Sequence, residues 1–462
     1  MTEYLMRWDK HELQLFYLAV CIRLLAVVFL VFWYQPFPLA GSDSQSYLSA
    51  AQGFVTQGRF VAEGSSTPNS YEMPGYPLFL AILIGIGGLT LVSLFQCVLM
   101  GITTALIYRI GKQFSVRVGI IAALLFALDP AGILYSGFIL TEPLFIFFFV
   151  SAVYMLVSYE TMLKGAFAPG LLLGMATLIR PVGEVLALAF LVFYLLRKPV
   201  LWKKYIVASL VFALGFAIIV GPWIVRNKIL FDRTELSAVA AWQFAYAHAP
   251  LFYAYEHGIS DDEAIAIFHE RLLEVSPYDE DIKANHAGTL SNAPYLWQVA
   301  FEYIGEHPVA FARFHIIKTI PFFFSDGLRE IAGRVGLISN DLPNTGNLLL
   351  HGEVGMLADA LIKEPLAFLL FFIGSIFWGV VVLCMLVGAW QYWYLGAHAR
   401  RVTVVLGCLV IIMAGVAGGA VSHPRYRYSV TPWMFVLAAI GAERLIASGP
   451  LTQRIKRFRV LS

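Results

Sequence analysis

Ten apolar runs of roughly membrane-spanning length dominate the chain, at about residues 13–34, 89–110, 116–135, 141–159, 166–180, 182–197, 204–223, 366–390, 401–421 and 428–446. A helix needs about 20 apolar residues to cross a hydrocarbon core near 30 Å. Inside lipid, every backbone polar group must be satisfied within the segment, so such runs fold as helices. The two runs flanking Arg180-Pro181 are short, which predicts tilted, broken or protein-surrounded segments. With 59% hydrophobic and only 13% charged residues, the chain is far more apolar than the roughly 45–50% of soluble domains. The expectation is an all-α polytopic membrane protein of about 10–12 transmembrane helices, with juxtamembrane helices on its outer face.

Basic residues orient the bundle. With the N-terminus in the cytoplasm, Arg7, Lys10, Arg109, Lys112, Arg117, Lys164, Arg197, Lys198, Lys203, Lys204, Arg400, Arg401 and the tail Arg454, Lys456, Arg457 and Arg459 fall on the inner side, as the positive-inside tendency requires. The long loops at 35–75 and 226–365 then lie outside and hold 22 of the 30 acids but only 11 of the 32 lysines and arginines. The small net charge of +2 hides this asymmetry. The first run is too long for a signal peptide, contains Arg23 and ends in Trp33-Tyr34, so a retained span is expected. Cys21, Cys97, Cys384 and Cys408 all fall in predicted spans, which argues against a disulfide framework or a cysteine metal site.

Three regions follow: a transmembrane core at 1–225 that includes the outer loop 35–75, a large outer loop at 226–365 with interfacial helices, and C-terminal spans with a basic inner tail at 366–462. In the first loop, Tyr47, Leu48, Ala51, Phe54 and Val55 give residues 43–57 one apolar face, with Ser42 or Asp43 as the helix cap. A short helix at 77–86 follows the turn Met73-Pro74-Gly75. The large loop opens an amphipathic helix at Asp261-Asp262-Glu263 that runs to Glu274. Residues 308–324 are apolar but interrupted by Arg313, His315 and Lys318, which predicts an interfacial segment rather than a span.

Ionisable groups at membrane depth are costly and therefore point to function. Asp43 follows the first span, where capping a helix and presenting a fixed carboxylate are compatible roles. Glu142 stands at an outer span end in Leu140-Thr141-Glu142-Pro143, where an acid either meets an arginine or polar substrate or complements the helix dipole. Arg180 precedes Pro181 at another outer junction, with Glu184 one turn away as a structural partner. Arg226, Arg425 and Arg427 also sit at outer ends, where the charge rule would thin basic residues. A planar fork of donors suits phosphate, so the four arginines on one level suggest an anionic lipid headgroup.

The histidines at 248, 257, 269, 286 and 307 show no helical metal-ligand spacing, and no metal site is expected. Walker and dinucleotide loops are absent, which argues against a nucleotide as the direct energy source.

Taken in order, Asp43-x-x-x-Tyr47, Met73-Pro74-Gly75-Tyr76-Pro77-Leu78-Phe79-Leu80, Leu140-Thr141-Glu142-Pro143-Leu144, Ile179-Arg180-Pro181, Pro222-Trp223-Ile224-Val225-Arg226-Asn227 and Arg425-Tyr426-Arg427-Tyr428 resemble the bacterial GT-C glycosyltransferases related to protein O-mannosyltransferases and to the lipid A aminoarabinose transferase. The resemblance extends over essentially the whole chain except 235–310. It implies a GT-C type bundle, a polyprenyl-phosphate-linked sugar donor, and an active site facing the periplasm of a bacterial inner membrane. It also implies inverting transfer of a hexose or pentose to a lipid, glycan or protein acceptor, without a required cofactor and without nucleic acid. Asp43 would be the general base, Glu142 a second catalytic carboxylate, and Arg180, Arg226, Arg425 and Arg427 the donor-phosphate ligands. Tyr47, Glu72, Tyr76 and His423 would line the substrate. Many relatives carry an Asp-Glu pair at the first motif; here Ser44 follows Asp43, leaving Glu142 or Glu72 as the partner acid. A polar-lipid transporter would instead need polar residues through several spans and a repeat layout, and an O-antigen ligase or polymerase would not need the early Asp43 motif.

Overall fold

The computed structural model describes residues 8–33, 43–158, 164–195, 202–277, 288–324, 327–334, 336–339, 355, 359 and 362–448. Ser42, His286, Arg7, Arg197, Lys198 and the basic tail at Arg454, Lys456, Arg457 and Arg459 lie outside the described residues. The described chain is helical, and its β-type pairing is one isolated bridge between Val61 and Pro68.

The N-terminal bundle comprises α1 (Lys10–Trp33), α2 (Ser44–Gln57), α3 (Gly75–Lys112), α4 (Val116–Leu128), α5 (Pro130–Gly137), α6 (Glu142–Ser158), α7 (Lys164–Ile179), α8 (Gly183–Leu195) and α9 (Trp202–Phe231). At the start of α1 the Asp9 N–H donates to Glu12 and the Glu12 N–H to Asp9, both at 2.9 Å, a reciprocal cap that satisfies helix-start donors. The same two acids tie α1 to the last turn of α3 through Arg109–Glu12 at 2.7 Å and Lys112–Asp9 at 2.6 Å. The expected short helix after Gly75 is present, but it runs on into the following span. Gly87 and Gly88 interrupt the helical backbone at that join, Gly88 with a φ of 70°, a conformation that costs a glycine little.

The apolar run at 116–135 is broken where one span was expected. Helices α4 and α5 meet at a 56° bend. The cause is local: Pro130 lacks an N–H and disfavours helical geometry at Asp129, whose carboxylate instead caps α5 by accepting from the Gly132 N–H at 3.1 Å. Among the described residues, five helices are long and apolar enough to cross a membrane, or six if this bent pair counts as one span, while α6, the 165–179 part of α7 and the 183–194 part of α8 are shorter apolar helices. The lipid-facing surface is visible in exposed side chains such as Phe32 and Ile229, at 86% and 75% exposure. This is a multi-pass membrane protein.

Small residues set the closest helix crossings. A Cβ on Gly170 of α7 would lie 2.2 Å from the Phe212 carbonyl oxygen of α9, so only glycine permits that approach. Inside the bundle, fully buried Arg23 donates to Ser136 Oγ at 3.0 Å and to the carbonyls of Ala19, Ala127 and Phe126 at 3.3, 3.2 and 3.1 Å. It thereby occupies carbonyls freed around the α4–α5 break.

After α9 comes a smaller helical cap with its own apolar centre of Phe252, Phe268, Leu272, Leu296 and Ile304. It consists of α10 (Val239–Gln243), a π-helical turn (Phe244–His248), α11 (Ala249–His257), α12 (Asp261–Val275) and α13 (Ala293–Glu306). Ser260 caps α12 by accepting from the Glu263 N–H at 3.2 Å, and the helix follows the expected Asp261 start. The cap is fastened to the first loop at Ser70, whose carbonyl accepts from Ala238 N at 2.9 Å and whose hydroxyl accepts from Leu290 N at 3.0 Å.

The chain then continues through α14 (Pro308–Phe324), α15 (Leu328–Arg334), α16 (Pro365–Trp390), α17 (Ala397–Ala417), α18 (Pro424–Tyr428) and α19 (Thr431–Ser448). Helix α14 is not among the helices long and apolar enough to cross a membrane. Helix α19 packs against α16 and α4, which carries the short α18 back over the N-terminal bundle.

Candidate functional site

Asp43 occupies the cap position of α2 with φ −103°, yet its side chain makes no cap hydrogen bond. Asp43 thus holds the expected cap position through its backbone, whose carbonyl accepts from the Tyr47 N–H at 3.2 Å, while its carboxylate is turned to an ion pair. Arg425 Nη1 donates to Asp43 Oδ2 at 2.8 Å, and Arg425 Nε donates to Glu142 Oε1 at 2.6 Å. Arg180 Nη1 donates to the same Glu142 oxygen at 2.6 Å. Arg180 thus pairs across helices with Glu142, rather than with Glu184 one turn along its own chain.

Four charges from four elements meet here, and exposure grades them. The Glu142 side chain is wholly buried, those of Arg425 and Arg180 are 10% and 16% exposed, and that of Asp43 is 44% exposed. Glu142 is an internal counter-ion, whereas Asp43 is the member that solvent or a ligand can reach. Burial opposes the charge on Arg425, but the carboxylates of Glu142 and Asp43 hold its pKa well above the ordinary guanidinium value.

Local sequence explains each position. Pro181 follows Arg180, and α7 ends at Ile179. Pro143 lies in the first turn of α6, behind Glu142. His423 caps α18 by accepting from the Arg425 N–H through Nδ1 at 3.2 Å, which fixes the start of the turn carrying the arginine. Ser44, next to Asp43, is fully buried and donates to the Ile139 carbonyl at 2.8 Å. A carboxylate there would face that carbonyl oxygen, so the serine is a tether holding Asp43 beside the α5–α6 connection.

Tyr47 lies edge-on to Tyr76, ring centres 5.3 Å apart. Burial pushes the Tyr47 phenol above its ordinary pKa, and Asp43 adds to that. Tyr76 is fully buried and donates to Gln96 Oε1 at 2.9 Å, while Gln96 Nε2 donates to the Phe138 and Ser136 carbonyls at 2.7 and 3.1 Å. Tyr76 therefore packs beneath Tyr47 as a buried support rather than as an exposed lining residue. Glu72 accepts from Asn69 Nδ2, and Asn69 Oδ1 accepts from the Tyr71 and Glu72 N–H groups at 2.9 and 3.2 Å, a turn that fixes the Glu72 carboxylate.

The remaining arginines do not join this cluster. Arg226 is ringed by Trp223, Phe231 and Phe60 at 4.5, 5.3 and 5.8 Å and donates to Asn227 Oδ1 at 2.9 Å. Arg427 is 1% exposed, lies 3.6 Å over the Trp378 ring and donates to the Phe322 carbonyl at 3.0 Å. Its place is a helix junction, away from solvent. Sequence reasoning missed Tyr71 and Tyr426: Arg180 sits 5.7 Å over the Tyr426 ring. The alternating Arg-Tyr-Arg-Tyr run held the signal, since alternate residues of so short a helix face opposite ways.

Residues 72–225 match the family model of dolichyl-phosphate-mannose-protein mannosyltransferase. Among solved structures, the fold superposes on the archaeal oligosaccharyltransferase AglB from Archaeoglobus fulgidus in complex with an inhibitory peptide and a dolichol-phosphate, with TM-score 0.51 and 14% identity, covering 96% of this chain and 51% of that one. The apo form of the Archaeoglobus fulgidus oligosaccharyltransferase gives 0.52 at 14% identity, covering 96% and 52%. ArnT from Cupriavidus metallidurans bound to undecaprenyl phosphate superposes less well, at 0.39 and 14% identity, covering 91% and 76%. No curated protein matches the chain. The chain spans about half the length of the oligosaccharyltransferase, and the shared property is the fold.

Proposed function

We propose that a membrane bundle with a mannosyltransferase-type segment at residues 72–225 and the architecture of the GT-C glycosyltransferases transfers a sugar from a polyprenyl-phosphate-linked donor to an acceptor hydroxyl, with Asp43 as general base. The observation that carries this reading is the Arg425 guanidinium, held between solvent-reachable Asp43 and buried Glu142, with Arg180 on the same carboxylate. A base must be reachable and a leaving anion needs preorganised donors, and the cluster offers both at one edge of an apolar bundle.

In the proposed step the acceptor oxygen attacks the anomeric carbon as Asp43 takes its proton. The bond from that carbon to the phosphate oxygen breaks, inverting the centre, and polyprenyl phosphate departs. Arg425 and Arg180 stabilise the charge on the departing phosphate. Glu142 holds the two guanidiniums in place without touching the reacting atoms. Tyr47 and Glu72 shape the space around the sugar, and Tyr76 supports Tyr47 from behind. Charge distribution along the chain supports cytoplasmic termini and an outward-facing Asp43 edge, and the family resemblance makes that membrane a bacterial inner membrane and that side the periplasm.

The test is transfer from a panel of synthetic polyprenyl-phosphate sugars, using wild type and Asp43→Asn in lipid nanodiscs. At least one donor is expected to support transfer, and the variant to lose about 10²–10⁴-fold. Near wild-type turnover by Asp43→Asn removes Asp43 as the base; inactivity with every donor removes the transferase reading.

A further inference from the structure

One row of side chains runs from Tyr71, within electrostatic reach of Asp43, into the helical cap. Ser70 is buried and bonded to Ala238 and Leu290, so the next residue, Tyr71, is delivered to the cap surface. Its ring meets Trp242 edge-on at 5.9 Å, and a Cβ on Gly288 would stand 2.6 Å from it, so the bare glycine backbone lets the ring lie there. Trp242 and Tyr246, four residues apart where α10 passes into the π-helical turn, stack at 5.4 Å with their planes 22° apart. Single π turns inside helices recur at functional sites. The Tyr246 hydroxyl hydrogen-bonds His269 Nδ1 at 2.9 Å, closing the row onto α12.

Two polar tips of this row are unused by the described residues. Among the described residues, neither the Tyr71 hydroxyl nor the Trp242 indole N–H has a hydrogen-bond partner, and neither is sealed from solvent. Buried tyrosine and tryptophan normally satisfy these groups, so open tips here suit a polar ligand. The row lies within electrostatic reach of the base: burial raises the Tyr71 phenol pKa, and the charges of Glu72 and Asp43 add to it.

We propose that Tyr71, Trp242 and Tyr246, with His269 at the end, bind saccharide and receive the acceptor, which is therefore a glycan whose hydroxyl is presented to Asp43. The proposal rests on the transferase reading above and names its acceptor class. A sugar ring carries both C–H faces and a rim of hydroxyls. Half-buried aromatic rings with neutral donors at their tips match both features. A phosphate would call for guanidinium or ammonium groups, which the row lacks. A peptide held in extended form would call for an open strand edge, and the described residues contain only the single Val61–Pro68 bridge.

The experiment measures saturation-transfer NMR signals from neutral hexose tetrasaccharides and from serine- and threonine-containing decapeptides on the full chain in nanodiscs. The proteins compared are wild type, Trp242→Ala, Trp242→Phe and Asp43→Asn, each checked for an unchanged melting curve. The expected result is binding of at least one tetrasaccharide, weakened tenfold or more in Trp242→Ala, less in Trp242→Phe, and retained in Asp43→Asn. No tetrasaccharide binding, equal binding by a folded Trp242→Ala or Trp242→Phe variant, or binding of peptide alone overturns the proposal. Undecaprenyl phosphate binding and donor turnover, read separately, report on the transferase reading itself.

Discussion

Arg425 holds the Asp43 carboxylate at 2.8 Å across a separation of 382 residues, joining the first loop of the chain to the short helix α18 near its C-terminal end. A carboxylate paired this way is held in a fixed orientation, and it shares its arginine with any incoming phosphate. Arg425→Ala is therefore expected to reduce transfer by about 10²–10³-fold and to weaken undecaprenyl phosphate binding. Arg425→Lys should recover little, because an ammonium cannot span Asp43 and Glu142 as the planar fork does. Full activity in Arg425→Lys would show that a point charge suffices.

Glu142 bears a different burden. It is wholly buried and receives both Arg180 and Arg425 on one oxygen at 2.6 Å. Removing one member of a buried ion pair typically costs about 3–5 kcal/mol, because the partner charge is left uncompensated. Glu142→Gln is expected to lower the melting temperature by several degrees and to reduce turnover together with lipid-phosphate affinity. Asp43→Asn, by contrast, should lose turnover with little change in melting. If Glu142→Gln melts like wild type and loses only turnover, Glu142 takes part in the chemistry directly.

The bundle was readable because lipid makes apolar run length decisive, and α2 and α12 were readable from apolar spacing and start signals. The level of the site was also legible, since Asp43, Glu142 and Arg180 stand at the ends of predicted spans. Pairing was not. Glu184 is the sequence neighbour of Arg180, but Glu142 is its partner, 38 residues away, and helix packing alone brings them together. Arg427 resembles Arg425 in sequence, yet a two-residue step on a five-residue helix turns it onto Trp378. Tyr71 gave no sequence signal because its importance depends on the cap folding back onto Ser70.

Helices α16 and α19 cross at two glycines. A Cβ on Gly388 would lie 1.9 Å from the Leu437 carbonyl oxygen, and one on Gly441 would lie 1.9 Å from that of Cys384. Both contacts are with backbone, so no side-chain rotation can relieve them. Without a hydrophobic force between helices in lipid, such close backbone approach is a main source of attraction. Gly441→Leu is expected to separate the helices, lower the melting temperature and impair transfer, since α19 follows directly on the Arg425 segment. Gly407→Leu on α17, where an added Cβ meets nothing within 4 Å, is the control expected to be tolerated. Equal tolerance of both changes would show that the α16–α19 contact is dispensable.

His248 makes the helical cap acid-sensitive. It is 2% exposed, its Nδ1 has no hydrogen-bond partner, and the His315 ring of α14 lies 5.7 Å away. Burial, with the neighbouring imidazole adding to it, lowers its pKa from 6.5 to about 4. The folded state therefore resists a proton that the unfolded state accepts, and the unfolded chain binds more protons between those two values. Stability is undiminished above about pH 6.5, falls as the pH drops toward 4, and loses no more from this group below that. At about 1.36 kcal/mol per unit, the full loss is on the order of 3 kcal/mol. Melting temperatures between pH 7.5 and 4.5 should show this decline, and His248→Phe should flatten it while leaving the neutral-pH value near that of wild type. Parallel pH profiles for the two proteins would assign the acid sensitivity to other groups.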